Sequence, residues 1–372
     1  MGIMFMNGGL LTTVQDAGRR GYQRYGLGVS GAVDVHAYIY ANILVGNTHN
    51  EAVLEATLLG PTMEFTSNSV IAITGGDLSP MLNSAPCPMY RAVRVNKGDI
   101  LSFGAPKTGC RAYISFAGGL AITPIMGSRS TYIKAHLGGY EGRKLMQGDE
   151  IAFRKPASCP PNLERRVMEP EVFNGSYTVR VLMGPQEDRF TKKGIETFLS
   201  SPYTVTNEFD RMGYRLTGPK IQHVTDGNII TDGITFGAIQ VPDGGEPIIM
   251  LSDRQTTGGY AKIASVINVD MPMIAQCKAG DTVRFVRTDI ETAQDAFIAQ
   301  KQKYQDMCDC FDAPEPIISY PTATIPNRQE LVAAVSTAIA VDMGTDPSAL
   351  RIVSMKKPDH SVTERSAEHG KF

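Results

Sequence analysis

The sequence predicts a mainly β protein with an internal duplication, and three observations carry that prediction. One phrase recurs three times: Lys97-Gly98-Asp99-Ile100-Leu101-Ser102-Phe103, Gln147-Gly148-Asp149-Glu150-Ile151-Ala152-Phe153 and Ala279-Gly280-Asp281-Thr282-Val283-Arg284-Phe285. Gly-Asp marks a tight turn, because glycine tolerates positive φ and aspartate bonds its own neighbouring backbone. The alternating apolar positions that follow have the period of a half-buried strand. Second, 37 of the 372 residues are glycine, and many stand in such turn phrases. Third, the two halves of the chain resemble each other. Asp16–Tyr22 and Asp210–Tyr214 both run from aspartate through arginine to Gly-Tyr, and each half closes on a Gly-Asp strand.

The elements follow in order. Across residues 1–155, Val70–Thr74, Arg91–Val95, Ile100–Phe103 and Arg111–Phe116 read as short strands. They are rich in β-branched or aromatic residues and bounded by Gly, Pro or Asn. One helix interrupts them: Asp34 is its N-cap, Val35, Tyr38 and Ile39 share a face, and Gly46-Asn47 stop it. Lys155–Pro170 holds four prolines and mixed charges and reads as a linker. A second β domain, 171–310, opens with the strand Tyr177–Leu182, carries a helix within Glu187–Ser200 and ends in a helix over Glu291–Cys308. Residues 312–325 form a second proline-rich linker. Beyond it, 326–372 reads as a small helix–strand tail that needs something to dock on, since one helix and one strand bury too little.

Composition narrows the function. A formal net charge of −2 gives no electrostatic reason to expect nucleic acid or an anionic membrane. A hydrophobic content of 42% and a charged content of 20% suit a soluble globular protein. There is no leader-like opening and no apolar run near about 18 residues, so the expectation is a cytoplasmic protein without membrane insertion. The six cysteines are scattered apart from Cys308-Asp309-Cys310, and no histidine stands near that pair at zinc spacing. They read as thiols in a reducing compartment, with no metal site.

Three polar phrases are dense in glycine and functional side chains: Thr12–Tyr22, Gly127–Tyr132 and Asp253–Lys262. Each offers hydroxyls, an arginine and exposed backbone amides, a set that can hold a carboxylate, phosphate or polar amide. The same residues also make ordinary turns, with arginine as a solvated charge or structural pin. Asp77 and Asp210 are carboxylates suited equally to proton transfer or to turns and ion pairs. His36, His49, His136 and His223 stand alone and read as structural. No Gly-x-Ser-x-Gly elbow, Walker loop or His-Glu-x-x-His motif occurs, and no nucleophile is evident. Ser354-Met355-Lys356-Lys357 lacks the flanks of a biotin-attachment site.

These phrases resemble the C-subunit family of bacterial 5-oxoprolinase, also known as biotin-dependent carboxyltransferase, allophanate hydrolase subunit 2 and KipA-like. The collinear stretches include Leu11–Gly21, Ser30–Asp34, Gly118–Thr131, Gly184–Gln186, Asp210–Gly218, Gly237–Pro242 and Asp253–Tyr260. The resemblance implies two tandem cyclophilin-like β-barrel domains. It implies two partner proteins, one KipI-like (the B-type component) and one LamB/YcsF-like (the A-type component), in a complex that uses ATP to open 5-oxo-L-proline to L-glutamate. It also leaves open a carboxyltransferase subunit fed by carboxybiotin on a separate carrier protein, or a KipA-like regulator of the KipI-like partner. No covalently bound cofactor is implied. An amide or ureido substrate needs donors for its carbonyl oxygen and an acceptor for its N–H. On that ground Asp16, Arg129, Asp210 and Arg211 are the candidate catalytic residues. Gln15, Ser128, Asp253, Gln255, Thr256, Thr257, Gly258 and Tyr260 are the candidate substrate-binding residues. The tail's Glu330–Ala340 phrase resembles a segment of small subunits in sodium-pumping biotin-dependent decarboxylases.

Overall fold

The computed structural model describes residues 2–156 and 159–313; the expected tail, 326–372, lies outside the described residues. The N-terminal half contains β1 (Gly2–Asn7), β2 (Leu11–Gln15), α1 (Val35–Leu44), β3 (Val53–Thr57), β4 (Thr62–Phe65), β5 (Ser69–Asp77), β6 (Pro80–Leu82), β7 (Ala85–Pro86), β8 (Ala92–Val95), β9 (Ile100–Phe103), β10 (Thr108–Phe116) and β11 (Glu150–Ala152). They form a six-stranded sheet ordered β11-β1-β4-β9-β6-β7 and a five-stranded sheet ordered β2-β3-β10-β5-β8. Ile3, Phe5, Met63 and Phe65 of the first sheet meet Val14, Leu54, Ile73, Ile114 and Phe116 of the second in one core. The five-stranded sheet is covered on its other face by α1, where Tyr38 and Ala41 pack on Val53 and Tyr113. That double covering explains why β3 and β10 are buried along nearly their whole length instead of alternating.

The C-terminal half contains β12 (Ser176–Met183), α2 (Lys192–Ser200), β13 (Tyr203–Phe209), β14 (Gly213–Thr217), β15 (Asn228–Gly233), β16 (Ala238–Gln240), β17 (Ile248–Met250), β18 (Thr257–Tyr260), β19 (Lys262–Val266), α3 (Met271–Ala275), β20 (Thr282–Arg287) and α4 (Ile290–Asp312). Seven of its strands close a barrel in the order β12-β19-β16-β17-β14-β13-β20, sealed by the parallel pair β12–β20. Inward positions alternate as in a one-sided strand, and Val179, Tyr203, Leu216, Ile249, Ile263 and Phe285 fill the interior. β15 and β18 stand off the barrel as a two-stranded ribbon. Lys262 Nζ on Asp232 Oδ2, at 2.8 Å, fastens that ribbon to β19.

The three Gly-Asp phrases make one and the same turn. Gly98, Gly148 and Gly280 have φ of 90°, 86° and 91°. The following aspartate carboxylates accept the backbone N–H three residues back, from Asn96, Met146 and Lys278. Each aspartate leads into its strand: β9, β11 or β20. The Asp34 cap stands as expected, whereas the second helix starts at Lys192, later than Glu187, and the last runs past Cys308 to Asp312; side-chain caps fix all three starts. Asp34 accepts the Ala37 N–H at 2.9 Å, Thr191 that of Gly194 at 3.0 Å, and Asp289 that of Thr292 at 2.7 Å.

Residues 159–170 differ from an open linker. Arg166 is fully buried, with Nη1 on the Ile43 carbonyl and Nε on that of Pro161, and it pairs with Asp312 at the end of α4. Proline spacing says where a helix cannot form, and nothing about what a nearby arginine reaches. α4 returns to the N-terminal half, where Tyr304 packs edge-on to Tyr40 and joins Ile43, Leu44 and Val70 in a second small core. No helix among the described residues is long and apolar enough to cross a membrane.

Candidate functional site

The twelve candidate residues gather in three places. The first is a knot at the end of β2. Asp16 Oδ1 accepts from Ser128 Oγ at 2.7 Å, Ser130 Oγ at 2.6 Å and the Gly18 N–H at 2.9 Å, while Oδ2 accepts the Arg129 N–H at 2.5 Å. Asp16 therefore ties the 127–131 loop to β2. It also fixes the backbone of Arg129, whose Nε reaches the Ile122 carbonyl at 3.0 Å. The Arg129 side chain is 22% exposed, and its Nη1 stands 4.0 Å from Glu51. Gln15 gives its Nε2 to Thr13 and to the Thr131 carbonyl; its Oε1 is buried without a partner among the described residues.

The second place lies between the two halves. Arg211 is 4% exposed, and every guanidinium nitrogen is engaged. It grips Asp253 through Nε at 3.0 Å and Nη2 at 3.1 Å, pairs with Glu55 and donates to the Gly31 carbonyl at 2.7 Å. Ser30 Oγ adds a 2.8 Å bond to Asp253. Burial by itself would raise the Glu55 carboxyl, but Arg211 and Arg111 outweigh it and hold it below the usual range. Arg111 is wholly buried and bonds Tyr214 and the Ala275 carbonyl. Beside it, Gln276 spends its amide completely: Oε1 accepts from the Cys110 and Arg111 N–H groups, and Nε2 donates to Asp34 at 2.7 Å and to the Arg111 carbonyl. Burial, with Glu171 nearby, pushes the Asp34 carboxyl up to about 7.

The third place is an open groove of about 410 Å³ on the barrel, within the size range of small-molecule sites. Asp210, Gln255 and Tyr260 line it, together with Gln240, Met212, Ile248 and Met250. Asp210 is exposed; its Oδ1 accepts the Met212 and Gly213 N–H groups, the same kind of turn that Asp16 makes with Gly18. Thr256 supplies its carbonyl to the Ile234 N–H, and Thr257 and Gly258 pair with Gly233 and Asp232 in the ribbon. Arg254 gives its guanidinium to the Ile234 and Leu251 carbonyls; burial, with Arg20 adding to it, pushes its pKa down to about 10.

The three phrases stand out in the sequence, but where each of them lies in the fold does not. Asp16 and Ser128 meet each other, Arg211 and Asp253 meet each other, and neither pair lines the groove. Asp77 makes a turn with the Ser79 N–H and a surface pair with Lys107. Glu55, Arg111, Gln240 and Gln276 belong to these three places as well, and none of them stands in the three polar phrases. Glu55 and Arg111 do carry a signal, a lone charge inside an apolar strand, which marks a buried ion pair.

Residues 25–287 match the family described as carboxyltransferase domain, subdomain A and B. The chain belongs to that family. Among its carboxyltransferase-domain relatives, the C subunit of 5-oxoprolinase from Escherichia coli (strain K12) is 34% identical over 305 residues, which are 82% of this chain and 97% of that protein. Urea amidolyase of Lachancea kluyveri is 34% identical over 308 residues, 77% of this chain but 17% of that protein. The crystal structure of the K. lactis urea amidolyase superposes with a TM-score of 0.76 at 32% identity. The match covers 82% of this chain and a fifth (20%) of that much longer chain.

Proposed function

We propose that this chain is the C-type component of an ATP-dependent 5-oxoprolinase that opens 5-oxo-L-proline to L-glutamate, acting with a LamB/YcsF-like and a KipI-like partner. One observation carries the reading: the match takes in 97% of the E. coli 5-oxoprolinase component, so nearly the whole of that protein has its counterpart here. In the urea amidolyases the same unit is a minor part of a long chain. The groove offers what a lactam needs, amide donors and acceptors beside the apolar faces of Met250 and Ile248. ATP is used by the complex, and no cofactor is held covalently by this chain.

A second reading is favoured by the family's name and by the urea amidolyase superposition. In it the chain accepts a carboxyl group from carboxybiotin, presented by a separate carrier protein, and passes it to a small amide or urea-like acceptor. Both reactions act on a planar N–C=O group.

The test is ATP-dependent release of glutamate from 5-oxoproline by this chain mixed with its two partner proteins. Release that requires the chain supports the first reading. An assembled complex that releases none, but decarboxylates a carboxybiotin analogue, moves the assignment to carboxyl transfer. Tight pairing with the KipI-like partner and no turnover of either kind assigns a regulatory role.

A further inference from the structure

The groove contains an arrangement that the packing of the barrel does not explain. Gln240, in β16, is 1% exposed and yet lines the groove. A buried carboxamide normally spends all its donors and acceptors on close partners. Among the described residues Gln240 Nε2 has only the Tyr260 carbonyl, at 3.4 Å, the outer limit of a hydrogen bond. Gln255 also lines the groove, and its Oε1 is buried with no partner among the described residues. The two amides come together over Gly258. A β-carbon there would stand 2.9 Å from Gln240 Nε2, 3.4 Å from Gln255 Nε2 and 2.6 Å from Ile234 Cδ1. Gly258 does not have a positive φ, so the conformation does not require glycine; the space does.

We propose that Gln240 and Gln255, packed against each other beside Gly258, form a subsite in the wall of the groove that takes the N–H/C=O edge of a cis-amide or ureido group. Gln255 Oε1 accepts the ligand N–H, and Gln240 Nε2 donates to the ligand carbonyl. A lactam or cyclic urea holds its N–H and C=O on the same side of the C–N bond, so both bonds form at once. An open-chain secondary amide is trans and points them in opposite directions. The subsite therefore discriminates by amide geometry, while Met250 and Ile248 offer an apolar surface to the ring. The proposal deepens the reading above and rests on it for the identity of the natural ligand.

The experiment is ligand-observed NMR titration of the full chain with four small probes. Expected is binding of 2-pyrrolidone and 2-imidazolidone, with N-methyl-2-pyrrolidone and N-methylacetamide about tenfold or more weaker, the effect of one unmade hydrogen bond to a buried group. Gln255→Ala and Gly258→Ala should each lose about the same factor for 2-pyrrolidone, with thermal melts confirming that both variants fold. Equal binding of 2-pyrrolidone and its N-methyl derivative, or binding of none of the four, overturns the proposal using the wild-type protein alone. Discrimination that persists when the reconstituted complex makes no glutamate leaves the subsite standing and removes the 5-oxoprolinase reading. Glutamate release without discrimination does the reverse.

Discussion

Replacing Arg211 by methionine isolates what holds the two halves of this chain in register. Methionine keeps most of the volume and removes the charge. The loss is uneven. Glu55 retains the Tyr113 hydroxyl at 2.8 Å, the Val33 N–H at 2.9 Å and Arg111 Nε at 3.9 Å. Asp253 loses both arms of a two-pronged grip and, among the described residues, keeps only Ser30 at 2.8 Å. A carboxylate that is 7% exposed is then left almost alone in a poorly hydrated site. Removing one partner of a buried pair costs about 3–5 kcal/mol, a large part of a typical stability of about 5–15 kcal/mol. Equilibrium unfolding in urea of the wild type, Arg211→Met, Asp253→Asn and the double variant measures it. The double variant should be more stable than the sum of the two single losses predicts, by more than about 1 kcal/mol, because neutralising Asp253 removes the stranded charge. Strict additivity, or an Arg211→Met loss under about 1 kcal/mol, would refute the argument that this pair is buried and mutually dependent.

Three further outcomes follow from the same structure. Burial, and the nearby Lys303 ammonium, push the pKa of His36 down to about 4, so the unfolded chain binds its proton more tightly and stability is lost as pH falls below the unfolded value of about 6.5. His36→Phe keeps the edge-on contact with Tyr304 and should remove about 2 kcal/mol of the wild type's loss between pH 8 and pH 5; parallel pH profiles for the two proteins would contradict this. Arg129→Ala and Gln255→Ala should each abolish turnover by the reconstituted complex while leaving the thermal melt near that of the wild type. Wild-type rates for both would take these phrases out of the site. Asp16→Asn puts an amide donor among four hydrogen-bond donors and should destabilise by about 2–3 kcal/mol, with faster hydrogen exchange at the Arg129 amide; unchanged exchange would mean that Asp16 does not hold the loop.

How much of this was readable in advance depended on distance along the chain. The Gly-Asp turns, the Asp34 cap and the strands around Val70 and Ile100 are local, set within four or five residues, and they fall where the sequence predicts them. Asp16 and Ser128 both stand out as candidates, but they lie 112 residues apart and nothing in either phrase points to the other. Gln276 was invisible for the same reason. It follows a five-residue helix and looks like a surface polar residue until Cys110, Arg111 and Asp34 arrive from the other half. Gln240 hides in an apolar run, Ala238-Ile239-Gln240-Val241, where alternation alone assigns it no task. Periodicity tells which face a residue occupies; it does not tell what stands opposite.

The return of α4 has a consequence for how the protein is made. The small core around Tyr40, Ile43, Leu44 and Val70 also contains Tyr304 and Phe311, and Arg166 beside it is neutralised by Asp312. A ribosome delivers the first of these side chains more than 250 residues before the last. Through most of translation, at about 5–20 residues per second, the outer face of α1 therefore waits uncovered for roughly 13–50 s. The N-terminal half cannot bury that face until the C-terminal half has been synthesised. A nascent chain halted before α4 presents an apolar patch to chaperones, and expressing the two halves as separate fragments would leave each without a piece of its own interior.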